Sequence, residues 1–155
     1  MSALKVKDLM TKDVITVSPD MTVKDAANML FERNISGLPV VDSENRIVGM
    51  ITEKDIIKMA LPSYFDDVGS LSFLPSFEPF DKRLAQADKI LVKDIMRKEV
   101  VTTTEDENIV EVARLMVVKL ARRIPVVRDK KLIGIIARSD IVREMARRSG
   151  IIKKE

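Results

Sequence analysis

The sequence predicts an α/β (α+β) protein of two β-α-β-β-α repeats packed through their sheets with pseudo-twofold symmetry. The first observation behind this is an internal repeat. Val6-Lys7-Asp8-Leu9-Met10 returns 86 residues later as Val92-Lys93-Asp94-Ile95-Met96. The same offset carries Val14-Ile15-Thr16 onto Val100-Val101-Thr102, Asp20 onto Asp106, Ala27 onto Ala113, and Leu38-Pro39-Val40-Val41 onto Ile124-Pro125-Val126-Val127. After one deleted residue, Gly49-Met50-Ile51 and Asp55-Ile56 return as Gly134-Ile135-Ile136 and Asp140-Ile141. The second observation is the alternation, in each copy, of short β-branched runs with amphipathic helical stretches. The third is size. A copy of about 55 residues is marginal alone, so two copies sharing one core are expected. With only two copies, this is a duplicated domain and not a solenoid.

A β-rich run opens each copy, Val14 to Val17 and Val100 to Thr102. A helix follows. Thr22 and Asn108 read as its N-caps, with Asp25 and Glu111 three residues on. Ala26, Ala27, Leu30 and Phe31 give its apolar face in the first copy, and Val112, Ala113, Leu115 and Met116 in the second. Two strands then flank a polar turn, Asp42-Ser43-Glu44-Asn45-Arg46 or Arg128-Asp129-Lys130-Lys131. The closing helix starts near Glu53 or Arg138. Residues 1–61 and 90–150 are thus the two repeats, and 151–155 a basic tail. The connection 62–89 holds Tyr64, Phe65, Phe73, Phe77 and Phe80, five of the six aromatic residues. That is not the composition of a flexible linker. It reads either as a connection packed on the body or as a lid or partner surface.

Composition removes most enzyme classes. The 155 residues include no cysteine and no histidine. Disulfides, thiolate sites, histidine bases and histidine metal ligands are therefore absent from the sequence. The five glycines, Gly37, Gly49, Gly69, Gly134 and Gly150, are scattered. They form neither a Walker loop nor a dinucleotide motif. The chain is expected not to be an enzyme and to require no cofactor or metal. No apolar run reaches the roughly 18 residues of a membrane helix, and the N-terminus lacks a signal-peptide core. A cytoplasmic location with no membrane association is expected. Residues 1–61 carry 8 basic and 9 acidic side chains, whereas residues 90–155 carry 16 and 10. Such a basic region attracts phosphate esters, nucleic acid or acidic membranes. The simpler reading of Arg143, Arg147, Arg148, Lys153 and Lys154 is a solvated helix face.

Three features recur in both copies: the opening Lys-Asp-Leu/Ile-Met, the Leu/Ile-Pro-Val-Val strand, and a Gly-apolar-Ile-x-x-x-Asp close. The close is Gly49-Met50-Ile51-Thr52-Glu53-Lys54-Asp55 in one copy and Gly134-Ile135-Ile136-Ala137-Arg138-Ser139-Asp140 in the other. In these features the chain resembles the tandem cystathionine-β-synthase (CBS) domain pair, or Bateman module, over nearly its whole length. The close suits a ligand on physical grounds. Small residues let a ligand approach the backbone. A hydroxyl and the N–H groups at a helix N-terminus can meet phosphate, and a carboxylate one turn in can accept a ribose diol.

The resemblance implies that Asp55 and Asp140 bind ribose hydroxyls; alternatively they only complement helix dipoles. It implies that adenine lies against Val14, Ile15, Ile35, Ser36 and Gly37, or against Val100, Val101, Ala121, Arg122 and Arg123. The aliphatic members also read as plain core. In the family each cleft takes its adenine side from one repeat and its ribose Asp from the other. One cleft then joins the first set with Ser139 and Asp140, and the other joins the second set with Thr52, Lys54 and Asp55. Of the two, the cleft with Thr52 and three cations suits phosphate better. In the cleft with Asp140, Ala137 stands where Ser or Thr is usual, with Arg138 and Ser139 as compensation. That cleft would be weaker, empty, or tuned to a ligand such as S-adenosylmethionine.

The resemblance thus implies a non-catalytic regulatory, energy-sensing module binding AMP, ADP, ATP or S-adenosylmethionine. It also implies a homodimer formed through the helices and an unidentified protein that receives the signal. The alternative is a nucleic-acid binder using the basic C-terminal region. It is disfavoured because that region has no aromatic residue for base stacking.

Overall fold

The structure, a computed structural model, describes residues 3–61 and 82–153. Its elements are α1 (Val6–Leu9), α2 (Val23–Arg33), β1 (Gly37–Val41), β2 (Ile47–Thr52), α3 (Glu53–Ala60), α4 (Val92–Ile95), α5 (Ile109–Val118), β3 (Arg123–Arg128), β4 (Lys131–Ala137) and α6 (Arg138–Arg148). The helices and paired strands make a mixed α/β fold, as the sequence indicates. The five aromatics of the connection lie outside the described residues. From its last part, Ala87 is buried, and its carbonyl accepts the Lys24 N–H at the start of α2.

The described residues gather into two compact units that cross the sequence repeats. The repeat-1 unit comprises Thr16–Ser43 and Val48–Glu99, and the repeat-2 unit comprises Met1–Ile15, Glu44–Ile47 and Val100–Glu155. Each unit has its own hairpin, β1 with β2 or β3 with β4. In the repeat-2 unit, Val6, Ile109, Val112, Met116, Ile124, Val126, Ile136 and Ile141 form one buried cluster. In the repeat-1 unit, Val17, Val23, Ala26, Leu30, Leu38, Val40, Ile51 and Val92 are buried to 2% exposure or less. Each buried Val, Leu, Ile or Met side chain among these contributes about 1.5–3 kcal/mol by leaving water.

Val6 and Val92 reveal an exchange that periodicity does not show. The opening segment of each sequence repeat packs in the unit of the other. Val6 N donates to Glu107 O (3.0 Å), Lys7 N to Glu105 O (2.9 Å) and Ile109 N to Leu4 O (3.0 Å). Reciprocally, Val92 N donates to Met21 O (2.8 Å), Lys93 N to Pro19 O (3.0 Å) and Val23 N to Ile90 O (2.8 Å). The Lys7 ammonium meets Asp106 at 2.9 Å, and the Lys93 ammonium meets Asp20 at 3.0 Å. Each lysine's pKa is raised, first by the hydrogen bond to that aspartate and then by its charge.

The exchange also explains the glycine of each close. A Cβ on Gly49 would lie 2.5 Å from Met96 Sδ and 2.9 Å from Arg97 O; one on Gly134 would lie 2.8 Å from Met10 Sδ and 3.0 Å from Thr11 O. These glycines make room for the methionine of the exchanged segment.

Each β-rich run joins its sheet through a single residue. Val17 N donates to Pro39 O, and Val17 O accepts from Val41 N, both at 3.0 Å. Thr103 does the same with Pro125 O (3.0 Å) and Val127 N (2.9 Å). Extending either parallel ladder one step back would need an N–H at Pro39 reaching Ile15 O, or at Pro125 reaching Val101 O. Proline has none. The strands expected at Val14 to Val17 and Val100 to Thr102 therefore shrink to isolated bridges, Val17 with Val40 and Thr103 with Val126.

The hairpin turns need left-handed backbone. Asp129 and Lys130 have φ of 51° and 67°, and Asn45 has 62°, as tight hairpin turns require. The C-terminal ends of α2 and α5 share the same conformation, but not the same residue type. Asn34 takes it in the first copy (φ 51°) and Leu120 in the second (φ 53°). A Leu there costs on the order of 1 kcal/mol more than a residue that favours the left-handed region.

Candidate functional site

Strand β2 runs into α3 through Thr52, which caps the helix reciprocally with Asp55. Thr52 N and Thr52 Oγ1 donate to Asp55 Oδ2 at 2.8 and 2.9 Å, and Asp55 N donates back to Thr52 Oγ1 at 3.4 Å. The carboxylate is half-buried. Both of its bonds fall on one oxygen; among the described residues Oδ1 accepts none. A carboxylate offers about four lone-pair sites, so Asp55 keeps capacity for further donors. The Thr52 hydroxyl donates to Asp55 here, and a hydroxyl rotor can turn to another acceptor.

The segment before β1 lies against this corner. Glu53 N donates to Ser36 O at 3.0 Å, and a Cβ on Gly37 would press on the Thr52 methyl at 3.1 Å. Ile35 and Ser36 are half-buried and Gly37 is buried, while Lys54 is exposed. The structure thus brings Ile35, Ser36, Gly37, Thr52, Lys54 and Asp55 to one end of the repeat-1 sheet.

The repeat-2 unit repeats the frame with different chemistry. Arg138 N donates to Arg122 O at 2.8 Å, and Arg123 pairs with Ala137 across the β3–β4 ladder. Ala137 has no hydroxyl, so Asp140 Oδ2 accepts only the Ala137 N–H, at 2.8 Å. Arg123 and Ala121 are half-buried; Arg122, Arg138 and Ser139 are exposed. Ala121, Arg122, Arg123, Arg138, Ser139 and Asp140 therefore share one end of that sheet.

Val14, Ile15, Val100 and Val101 belong to the repeat-2 unit and are half-buried. Because of the two prolines, no hydrogen bond among the described residues reaches the Ile15 or Val101 carbonyl. Two backbone acceptors are thereby left for another donor.

Sequence reasoning missed the exchange of opening segments and its two ion pairs. Its signal was present: the offset that carries Lys7 onto Lys93 also carries Asp20 onto Asp106. Its reading of Arg147 and Arg148 as part of a solvated helix face did not name their partner. In the structure Arg114 pairs with Glu111, Arg128 with Glu105, and both Arg147 and Arg148 with Glu144. Hydrogen bonds from Arg147 and Arg148 hold the Glu144 carboxyl down at about 2. Among the described residues no helix is long and apolar enough to cross a membrane.

Comparison with known proteins is consistent with this geometry. The CBS domain family model matches residues 6–61 and 92–147. An inosine-5'-monophosphate dehydrogenase of Methanocaldococcus jannaschii is 38% identical over 140 residues, 90% of this chain. The match spans only 23% of that enzyme's length. The crystal structure of CBSX2 in complex with AMP superposes with a TM-score of 0.72 at 28% identity, covering 94% of this chain and 98% of that one. The CBS domain pair of MJ0100, in complex with 5'-methylthioadenosine and S-adenosyl-L-methionine, gives a TM-score of 0.69 at 29% identity and covers the same shares.

Proposed function

The chain belongs to the CBS domain family, and from that premise we propose that it is a non-catalytic regulatory module binding an adenosyl ligand, either AMP, ADP or ATP, or S-adenosylmethionine. The observation that carries this reading is the pair of corner carboxylates. Asp55 and Asp140 each hold a helix start with one oxygen and keep the other unbonded among the described residues. An unbonded carboxylate oxygen is an acceptor that a ribose hydroxyl can use. Ile15 and Val101, whose carbonyls lack ladder partners, offer acceptors to an exocyclic amine. Relatives crystallised with AMP, and with methylthioadenosine and S-adenosylmethionine, support the ligand class. Adenine contacts are assigned to Val14, Ile15, Ile35, Ser36, Gly37, Val100, Val101, Ala121, Arg122 and Arg123, and phosphate contacts to Thr52, Lys54, Arg122, Arg123, Arg138 and Ser139.

We also propose a homodimer formed through the helices. Phe31 and Val117 occupy equivalent positions and are 65% and 75% exposed; Ile57 and Val142 do likewise at 57% each. Apolar side chains left open at equivalent places in both repeats fit a self-complementary surface.

The test is a thermal-shift screen against AMP, ADP, ATP, NADH, S-adenosylmethionine and a short duplex DNA, with light scattering for mass. A ligand at 100 times its Kd stabilises by about 2.7 kcal/mol, a rise of roughly 5–10 °C for a chain this size. Asp55→Asn or Asp140→Asn should abolish the rise, which identifies the carboxylate in use. A response to DNA and to no adenosyl compound would overturn the reading.

A further inference from the structure

Helix α5 is apolar on nearly every side. Eight of its ten residues are apolar, and Ile109, Val112 and Met116 already fill its inner face. Yet Val110, Val117 and Val118 are 76%, 75% and 60% exposed, and Leu120, just past the C-cap Lys119, is 89% exposed. Val110, Arg114 and Val118 make one i, i+4, i+8 row along the outer face, and the Arg114 guanidinium is held by Glu111. A helix that is apolar all round is ordinarily a covered helix.

The first copy shows that the fold does not need this surface. Val117 matches Phe31, and both belong with the dimer surface proposed above. Val110, Val118 and Leu120, in contrast, match Lys24, Glu32 and Asn34. Leu120 is the sharpest case. It holds φ 53° where Asn34 holds 51°, a conformation that suits asparagine and strains leucine. Its side chain is almost wholly in water, so no packing among the described residues offsets that strain. An outlier of this kind points to a contact made outside the chain.

Charge says what makes the contact. α5 with Lys119, together with α6 packed beside it, carries six cations and three acids, a net +3. α2 and α3 carry four of each and are neutral. On α5 and α6 every exposed charged side chain is a cation; Glu111, Asp140 and Glu144 are half-buried and already bonded. A second copy does not fit the three extra side chains. Its repeat-2 helices would set cation against cation, and its repeat-1 helices offer Lys24, Glu32 and Asn34 in the same places. The occupant that fits is apolar along one face and acidic along its borders. We infer that the row Val110, Arg114 and Val118, with Leu120 at its end, is a docking ridge for an acidic amphipathic helix of a partner protein.

Fluorescence anisotropy with the full chain tests this. The probe is a labelled, hydrocarbon-stapled helix of about 18 residues, with leucine along one face and glutamate along its borders. The controls are the same helix with lysine for glutamate, and vesicles of phosphatidylserine and phosphatidylcholine. The variants Val118→Glu and Leu120→Asn carry the first copy's residues, which the same backbone already accepts there. The glutamate helix should bind the parent, more weakly as salt is added, and the lysine helix should not bind. Each variant should weaken binding at least about tenfold. Leu120→Asn should nevertheless melt at or above the parent, which a leucine needed for packing would not allow. Light scattering should give the same mass for all three unbound proteins. Failure of the glutamate helix to bind, equal binding of both helices, or a lower melting temperature for Leu120→Asn would overturn the proposal. Variants of smaller mass than the parent would overturn it by assigning the ridge to a second copy. Vesicles bound through the same residues, with no helix bound, would overturn it in favour of an anionic membrane.

Discussion

The two sheet ends that carry the candidate residues, one in each unit, share a backbone frame and little else. In the repeat-1 unit the corner is Ser36, Gly37, Thr52, Glu53 and Asp55; in the repeat-2 unit it is Arg122, Arg123, Ala137, Arg138 and Asp140. Both corners tie the start of the closing helix to the segment before the hairpin, through Glu53 N to Ser36 O or Arg138 N to Arg122 O. Both keep the aspartate on the backbone N–H three residues back. The frame is thus set by main-chain bonds and one carboxylate, and the rest of the corner was free to diverge. What diverged is the hydroxyl and the charge.

The exchanged opening segments give the largest test of this likeness. Gly49→Ala places a methyl group against a backbone carbonyl 2.9 Å away and a sulfur 2.5 Å away; Gly134→Ala faces softer distances of 3.0 and 2.8 Å. Overpacking of this kind costs about 1–3 kcal/mol. Gly49→Ala should be the more damaging of the two, and Met96→Ala should recover part of its loss because the sulfur is the nearer obstacle. Urea titration of the four proteins measures this. Equal losses, or no rescue, would mean that the opening segment yields instead of resisting.

Much of this frame was legible in the sequence. The repeat offset located the hairpins, the helix starts at Glu53 and Arg138, and the two aspartates. Thr22 and Asn108 cap their helices, with Asp25 N donating to Thr22 Oγ1 and Val110 N to Asn108 Oδ1. Other features were hidden for physical reasons. Hydrophobic period says which face of a segment is buried but not against which partner, so the exchange of Val6 and Val92 escaped it. The shrinkage of the first strands follows from a missing N–H on Pro39 and Pro125, which becomes telling only once the parallel register is known. Leu120 in a left-handed position defies local preference and was invisible beforehand, whereas Asn34 at the same place obeys it. At the corners, sequence named the residues, but only coordinates reveal that the Thr52 hydroxyl turns toward Asp55.

That hydroxyl supplies the next comparison. Thr52 accepts the Asp55 N–H and donates to its carboxylate, while Ala137 offers no side-chain cap. Removing an N-cap hydroxyl costs about 1 kcal/mol, and adding one to a bare cap returns a similar amount. Thr52→Ala should therefore lower stability and Ala137→Thr raise it, each by about 1 kcal/mol in chemical denaturation. If Ala137→Thr also gains phosphate affinity, the hydroxyl serves ligand as well as helix. If it gains stability alone, the cap accounts for Thr52.

The smallest expected effect separates the two closing helices by pH. In α6, Glu144 is held at about 2 by hydrogen bonds from Arg147 and Arg148; the equivalent position in α3 is Met59, which does not titrate. The folded state therefore binds a proton at Glu144 less readily than the unfolded chain, whose glutamate titrates near its usual 4.5. The ion-paired carboxylate stabilises fully above that usual value, and its contribution fades as pH falls to about 2. Melting temperatures of the parent and Glu144→Gln, followed from neutrality to about pH 2, should differ at neutrality and converge across that window. Above it their difference should narrow with added salt, because the arginines are partly exposed and screened. A difference that persists unchanged across the whole window would show that Glu144 acts by packing α6 and that its charge pairing contributes nothing.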